Sequence, residues 1–336
     1  MIPERAISQE EGRLDFTVSN HFYDLFTYQG EINFERSIPI WISTMDVSPD
    51  NRFAITDRRN NRVSVFNDQG SHLYSVLPDT TDQMVEWGPV HAGFDVFGNL
   101  IVSNSEPWAA MFNANGHLIQ QLQNNNGPFA AVRSTAGPDG YIYSYQIGLN
   151  GNRIARYSPL GRFINAFGNP AAQHQTFTGY VNTGRSFAMK RDGSILYSNM
   201  TLPIIYHYTP DGELLAEIEF RPEIFDKLVW TLNTNDISRV RTEISRSLTR
   251  FTFNNDLYIL DNNLIMLQYR HHWDKYYIQL FNLDSRSPVG DAIELESPVL
   301  TASNGRVYFL TRPDDEDAST NIGVTVFEIN RASVSR

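Results

Sequence analysis

Short apolar runs alternate with polar segments between Ile42 and Leu77. The apolar runs are Met45–Val47, Phe53–Ile55, Val63–Phe66 and Leu73–Val76. The segments between them are Ser48–Asn51, Asp57–Arg62 and Asn67–Gly70. Runs of this length with period-two alternation are typical of half-buried strands, and Asn, Asp, Pro and Gly favour turns. The stretch therefore predicts a meander of four antiparallel strands.

The same arrangement recurs along the chain. Similar units cover about 90–122, 131–167 and 186–220. Two less regular units begin near Phe251, with Asn254-Asn255-Asp256 as its expected first turn, and near Pro298. Glycines that mark the last turn of a unit stand at positions 30, 70, 116, 161 and 212, at intervals of 40, 46, 45 and 51 residues. Four-stranded units at such a period are typical of β-propeller blades. We therefore predict an all-β fold, a six-bladed β-propeller of four-stranded antiparallel blades.

The chain ends are expected to close this ring. We predict a flexible arm over residues 1–12 and a single propeller domain over 13–336. Apolar runs within 14–38, joined across Gln29-Gly30, are expected to pair as strands with residues 298–330, which leaves no open seam between the first and last blades. The alternative is a seventh blade, because seven third-strand patterns occur against six first-turn patterns.

The repeat is interrupted at residues 221–248. Apolar residues there follow helical spacing, which predicts a short helical insertion between blades. Its polar side carries Arg239, Arg241 and Arg246. We expect the apolar stripe to pack on the propeller, with the arginines facing outward.

The segment Asp57–Gly70, DRRNNRVSVFNDQG, resembles the NHL repeat. It has an Asp, polar residues, Asn-Arg, alternating apolar residues, Phe and then Asp-x-Gly. The likeness is close in this unit and looser in the others. It implies a six-bladed propeller of the NHL or TolB-like kind, a class that contains protein- and RNA-binding platforms and a minority of metal-dependent hydrolases and lyases.

Composition narrows the possible partners. The formal net charge of −11 disfavours a general nucleic-acid platform, which requires a basic face. The absence of cysteine excludes disulfides and thiolate chemistry.

No apolar run reaches the roughly 18 residues of a membrane helix, and the first residues lack the apolar core of a secretory signal. Since bacterial propellers of the resembling families are often exported, the resemblance favours a periplasmic or secreted location. We expect a monomer.

Polar residues begin the loops that follow the second strands. We place Asp57, Asn104, Tyr145, Asn199 and Asp261 at this position in successive blades. Asp and Asn there can accept backbone N–H groups and fix the turns. Alternatively, oxygen ligands from several blades can bind Ca²⁺, which takes six to eight of them. We expect no metal and no other cofactor; if Ca²⁺ binds, its predicted ligands are Asn104, Glu106, Asn199 and Asp261.

The connectors between blades supply further candidate residues. The ligand-binding residues that we predict at the channel mouth are Glu86, Trp87, His91, Asn104, Trp108, Tyr145, His174, Arg185, Asn199 and Asp261. Aromatic side chains beside Asn and Arg favour a neutral or anionic organic ligand such as a carbohydrate or peptide, or a protein partner. We therefore favour a non-catalytic binding module. The alternative is a Ca²⁺-dependent hydrolase or lyase of the lactonase-like propeller type, and no catalytic residue is assigned.

Overall fold

A computed structural model describes residues 20–35, 42–77, 88–104, 108–123, 131–149, 152–168, 187–198, 202–220, 252–271, 275–311 and 322–334. It also assigns residues 239, 242, 243 and 246 to helix. Most of the predicted insertion at 221–248 therefore lies outside the described residues. The described strands form six antiparallel sheets of four strands, which confirms the predicted six-bladed propeller.

Each blade is a meander of adjacent strands. Blade 1 contains β2 (Thr44–Val47), β3 (Phe53–Asp57), β4 (Arg62–Phe66) and β5 (His72–Val76). Blade 2 contains β6 (Pro89–Phe94), β7 (Leu100–Asn104), β8 (Trp108–Phe112) and β9 (Leu118–Gln123). Blade 3 contains β10 (Ala131–Ala136), β11 (Ile142–Leu149), β12 (Asn152–Tyr157) and β13 (Phe163–Phe167). Blade 4 contains β14 (Phe187–Met189), β15 (Ile195–Ser198), β16 (Ile204–Tyr208) and β17 (Leu214–Glu219).

The last two blades complete the ring. Blade 5 contains β18 (Thr252–Ile259), β19 (Leu264–His271), β20 (Lys275–Asn282) and β21 (Ser287–Leu295). Blade 6 contains β22 (Val299–Ser303), β23 (Arg306–Thr311) and β24 (Gly323–Ile329), with β1 (Phe26–Asn33) as its outermost strand. Two short helices, α1 (Asn20–Leu25) and α2 (Arg331–Val334), flank this blade in the chain.

The core lies between blades. Among the described residues, each of six buried apolar clusters combines side chains of two neighbouring blades. One cluster, for example, joins Val63 and Val65 of blade 1 to Leu100 and Val102 of blade 2. Full burial of such a side chain contributes about 1.5–3 kcal/mol. Sheet-on-sheet packing around the whole ring therefore stabilises the fold.

Side-chain caps and glycines shape the hairpins. In the turn between β4 and β5, Asn67 Oδ1 accepts the backbone N–H groups of Gln69 and Ser71 at 3.0 and 2.8 Å. Gly70 follows with a φ of 83°, a conformation that side chains with a Cβ disfavour. Asn113 caps the corresponding turn of blade 2 in the same way. The repeated turn residues thus have a local structural function.

The ends of the chain meet in blade 6. β1 pairs antiparallel with β24 from Phe26, opposite Ile329, to Asn33, opposite Gly323. The predicted hairpin at Gln29-Gly30 is wrong. Gly30 lies inside β1, where the register shifts between Tyr28 and Gly30, and the residues before β1 form α1. A single N-terminal strand therefore supplies the outermost strand of this sheet.

The predicted boundaries of blade 5 are also wrong. Residues 254–256, expected to form its first turn, lie inside β18 at a shift in register with β19. Their polar side chains are accommodated there because Asn254 Nδ2 donates to the Leu202 carbonyl at 3.2 Å and Gln268 Nε2 donates to Asp256 at 3.0 Å. The first turn instead contains Asp261, between β18 and β19.

Candidate functional site

The first strands of the blades surround the central channel. β2, β6 and β10 contact one another in turn, as do β14, β18, β22 and β2. A cavity of about 330 Å³ lies between them, at the end of the channel where first strands turn into second strands. It is lined by residues of all six first strands and by residues of the adjoining turns in five blades.

One part of the cavity wall is apolar. Phe94, Phe187 and Leu257 line the cavity and are buried, and Thr135 and Met189 contribute partly buried side chains. These residues belong to blades 2, 4, 5 and 3, so their proximity arises only from closure of the ring. The wall presents a surface suited to the apolar part of a small molecule.

The carboxylates that line the cavity accept hydrogen bonds from backbone groups. Asp46 Oδ2 accepts the N–H of Phe94 at 2.8 Å. Asp95 Oδ1 accepts the N–H groups of residues 97 and 99, each at 2.8 Å. Asp261 accepts the N–H of Asn262 at 2.6 Å and lies 3.3 Å from Arg331 Nη2. These acids stabilise strands and turns with the oxygen atoms that they direct to the backbone.

The basic residues that line the cavity are Arg133, Lys190, Arg191 and Arg331. Arg133 Nη1 donates to the Phe187 carbonyl at 3.2 Å. The Lys190 ammonium lies 3.6 Å from Asp192, and only 15% of the lysine side chain is exposed against 61% of the aspartate. Two of the four cations therefore come from one turn, between β14 and β15.

Charges around this turn also affect nearby pKa values. Burial lowers the pKa of His207, and the Lys190 charge lowers it further, against the opposing effect of Asp192. Burial alone would raise the pKa of Asp192, but hydrogen bonds from Ser194 and the charge of Lys190 outweigh that effect and lower it. The ionised form of Asp192 is therefore stabilised by Ser194 and Lys190, and the neutral form of His207 is favoured mainly by burial.

Three residues predicted from the sequence as ligand contacts are buried. Asn104 is at the end of β7, and its Oδ1 accepts the N–H of Gly88 at 2.6 Å. Tyr145, in β11, lies near Phe187 and Tyr197, with ring centroids 6.4 and 6.1 Å away, and burial raises its pKa. His91 is 3% exposed in β6. These positions show structural contacts within and between blades.

Asp261 does not lie where the sequence placed it. It was expected after a second strand, yet it precedes β19 and lines the first-turn end of the channel. Asn104 ends a second strand, so the two residues are on opposite faces of the ring. With a rise of about 3.3 Å per residue, the five-residue β7 alone spans roughly 13–17 Å.

The remaining predicted residues lie wholly or partly outside the described part of the structure. Trp108 is the first residue of β8, and its side chain lies outside the described part. Glu86, Trp87, Glu106, His174, Arg185 and Asn199 lie outside the described residues. Among the residues that are described, no three His, Asp or Glu side chains form a group suited to a metal ion.

Lys190, Arg191, Arg133 and Thr135 were missed by the sequence analysis. One signal was available: Lys190-Arg191 begins the first turn of blade 4, whereas the first turns of blades 1, 2, 3 and 6 carry Ser48-Pro49, Asp95-Val96, Gly137-Pro138 and Ser303-Asn304. A pair of cations at that point distinguishes this blade. The residues that lie around Lys190 and Arg191 in the cavity come from other blades. The repeat pattern does not specify which residues these are.

Comparisons with known proteins support the fold. No protein-family model and no curated protein matches the chain. A solved structure from the DUF4221 family of Bacteroides vulgatus has a TM-score of 0.62 at 9% identity, covering 91% of this chain and 98% of that one. A candidate exported protein from Bacteroides fragilis has a TM-score of 0.63 at 10% identity, covering 94% and 95%. A streptogramin B lyase structure covers 92% of this chain and 99% of its own at 13% identity. Its TM-score of 0.49 is too low to support an argument about activity.

These likenesses extend over nearly the whole chain at very low identity. In the part of the chain that is described, no helix has the length and hydropathy needed to span a bilayer. The resemblance to NHL or TolB-like repeats stays a prediction from the sequence. The chain is a six-bladed β-propeller with structural neighbours of the DUF4221 kind.

Proposed function

We propose that this protein is a non-catalytic binding module that holds a small organic ligand in the channel cavity. The observation that carries the proposal is a cavity of about 330 Å³ whose lining combines apolar side chains with seven charged ones. Pockets for small molecules are typically about 300–1,000 Å³, largely apolar, with a few polar groups that orient the ligand. The cavity belongs to the lower part of that range.

The chemistry of the lining favours binding over catalysis. Asp46, Asp95 and Asp261 hold backbone N–H groups, so each already has a structural function. The predicted Ca²⁺ set is not supported as one site, because Asn104 and Asp261 are on opposite faces and Ca²⁺ binds its oxygens at about 2.3–2.6 Å. A binding module is therefore the function that this geometry supports best.

An extracytoplasmic location forms part of the proposal. It is supported by the export indicated in the name of the Bacteroides fragilis neighbour. Separation of cytoplasmic from periplasmic and secreted fractions of the native cells tests it. Recovery of the protein in the cytoplasmic fraction alone would contradict this part.

A cavity-filling substitution tests the binding site. Thr135 lines the cavity from β10, so Thr135→Phe should occupy space that a ligand needs. We expect compounds that raise the melting temperature of the parent, in a panel of metabolites, glycans and peptides, to lose that effect in the variant. Thr27→Phe is the control, because Thr27 is exposed in β1 and lies outside the lining.

The outcome distinguishes the cavity from other surfaces. If no compound stabilises the parent, or if every stabilising compound acts equally on Thr135→Phe and Thr27→Phe, the proposed site is wrong. Melting temperatures without ligand show whether each variant is folded.

A further inference from the structure

We propose that the ligand of this cavity is an organic oxyanion, a carboxylate or phosphate, whose charged end meets Lys190 and Arg191 and whose apolar part lies against Phe94 and Met189. This inference rests on the proposed binding function and specifies the chemical class of its ligand. All four residues line the cavity.

The first argument is the unequal use of donors and acceptors. The lining carboxylates accept backbone hydrogen bonds, so part of the acceptor capacity in the lining is already engaged. An ammonium carries three donors and a guanidinium carries five, and neither can accept a hydrogen bond. A ligand that supplies acceptors is therefore favoured over one that supplies donors.

The second argument concerns the strength of the contact that Lys190 already makes. Its ammonium is 3.6 Å from Asp192, beyond ordinary hydrogen-bond length, and that aspartate is 61% exposed. Exposed ion pairs of this kind contribute little because solvent screens them. An oxyanion in the cavity meets the same ammonium at a site that is mostly buried, where a charge-assisted hydrogen bond is stronger.

The third argument is the local nature of the positive charge. The protein carries a formal net charge of −11, so a general attraction for anions is not expected. Charges at physiological salt act over a Debye length of about 8 Å. The lining holds four cations against three carboxylates, and the adjacent Lys190 and Arg191 on one turn supply attraction within that range. Part of the wall beside them is apolar, which selects molecules with an apolar part.

Matched pairs of small probes test this assignment. Benzoate and benzamide have nearly the same shape but differ in charge, and phenyl phosphate and inorganic phosphate differ in the apolar ring. Binding of each is measured by ligand-detected NMR and calorimetric titration with the parent, Lys190→Met and Arg191→Gln. Arg162→Gln is the control, since Arg162 is an exposed residue of the β12–β13 turn and does not line the cavity.

We expect benzoate and phenyl phosphate to bind more tightly than benzamide and inorganic phosphate. Each cation-removing variant should weaken the two organic anions about tenfold, the effect of losing one charge-assisted hydrogen bond. Arg162→Gln should bind them as the parent does. The stronger of the two organic anions distinguishes a carboxylate ligand from a phosphate ligand.

Three results would overturn the inference: benzamide binding as well as benzoate, unchanged anion affinity in both Lys190→Met and Arg191→Gln, or no binding of either organic anion at millimolar concentration. In each case the panel experiment with Thr135→Phe still decides the broader binding function. If uncharged panel compounds depend on Thr135 while the organic anions do not bind, the cavity site stands and the oxyanion class is wrong.

Discussion

The hairpin between β4 and β5 leaves no room for a side chain at Gly70. This glycine has a φ of 83°, and a Cβ built on it would lie well inside van der Waals contact of the Asn33 carbonyl oxygen and 3.0 Å from the carbonyl carbon. Asn33 is the last residue of β1, and the next residues remain close, because Glu35 N–H donates to the Gly70 carbonyl at 2.9 Å. The turn therefore packs directly on the strand that completes blade 6.

Gly140 provides a matched control. It has a φ of 77° in the first turn of blade 3, but the nearest atom to its Cβ position is Pro159 Cγ at 3.6 Å, an ordinary contact. Both Gly→Ala substitutions carry the same cost for a side chain at positive φ. Only in Gly70→Ala does the new methyl group also push the turn away from the backbone of Asn33. We expect about 1 kcal/mol of destabilisation for Gly140→Ala, from a left-handed cost of about 1–2 kcal/mol less the entropy lost by the unfolded chain.

The steric contact should add about 1–3 kcal/mol to the effect of Gly70→Ala, giving roughly 2–4 kcal/mol in all. Urea unfolding followed by circular dichroism gives the free energies, and amide hydrogen exchange locates the change. Exchange should accelerate in β1 for Gly70→Ala and not for Gly140→Ala. Equal destabilisation by the two substitutions, with unchanged exchange in β1, would refute the packing of this turn on the closing strand.

Three further predictions concern polar groups. Asn104→Ala should lower the free energy of unfolding by about 1–3 kcal/mol, measured by urea unfolding, because it leaves the Gly88 N–H without this acceptor. Burial, a hydrogen bond to Glu294 and its charge raise the pKa of Tyr277 to about 12, so Glu294→Gln should shift its ultraviolet titration to lower pH. The pKa of His207 is lowered in the folded state, mainly by burial, so the unfolded state binds more protons. The melting temperature should therefore fall as pH drops below about 6.5, the ordinary pKa of histidine. His207→Gln should reduce that loss in melting scans from pH 7 to 5.

Local patterns predict the architecture well because each blade is built from short-range features. The caps at Asn67 and Asn113 and the glycines that follow them act within a few residues, so turns are visible in the sequence. The buried cluster that contains both Val65 and Leu100 follows from stacking one such unit on the next. Six units of this kind suffice to predict the ring.

The errors arose where long-range contacts override the local pattern. Gly30 stands 40 residues before Gly70 and resembles a hairpin glycine, but pairing with β24 places it at a register shift inside a strand. Asn254 and Asp256 look like turn residues, yet partners on Leu202 and Gln268 allow them to be buried in β18. The first turn of blade 5 therefore contains Asp261, which lies on the opposite face of the ring from the one predicted for it.

The candidate site was less predictable than the fold for the same reason. Lys190 and Arg191 are recognisable as unusual turn residues, but the cavity lining that they share with Phe94 and Thr135 exists only when blades 2, 3 and 4 meet around the channel. The loops first expected to form the site follow second strands, whereas the described cavity lies at the end where first strands turn. Each repeat supplies loops to both faces of the ring, so the sequence pattern does not show which face holds the binding site.

A crystal structure of the protein with its strongest organic ligand from the panel tests the central claim most directly. The account predicts that the compound lies in the channel at the first-turn end, within 4.5 Å of Thr135 and Met189, the distance of an apolar contact. A compound bound instead at the opposite mouth, or on the outer strands of the blades with the channel empty, would contradict it.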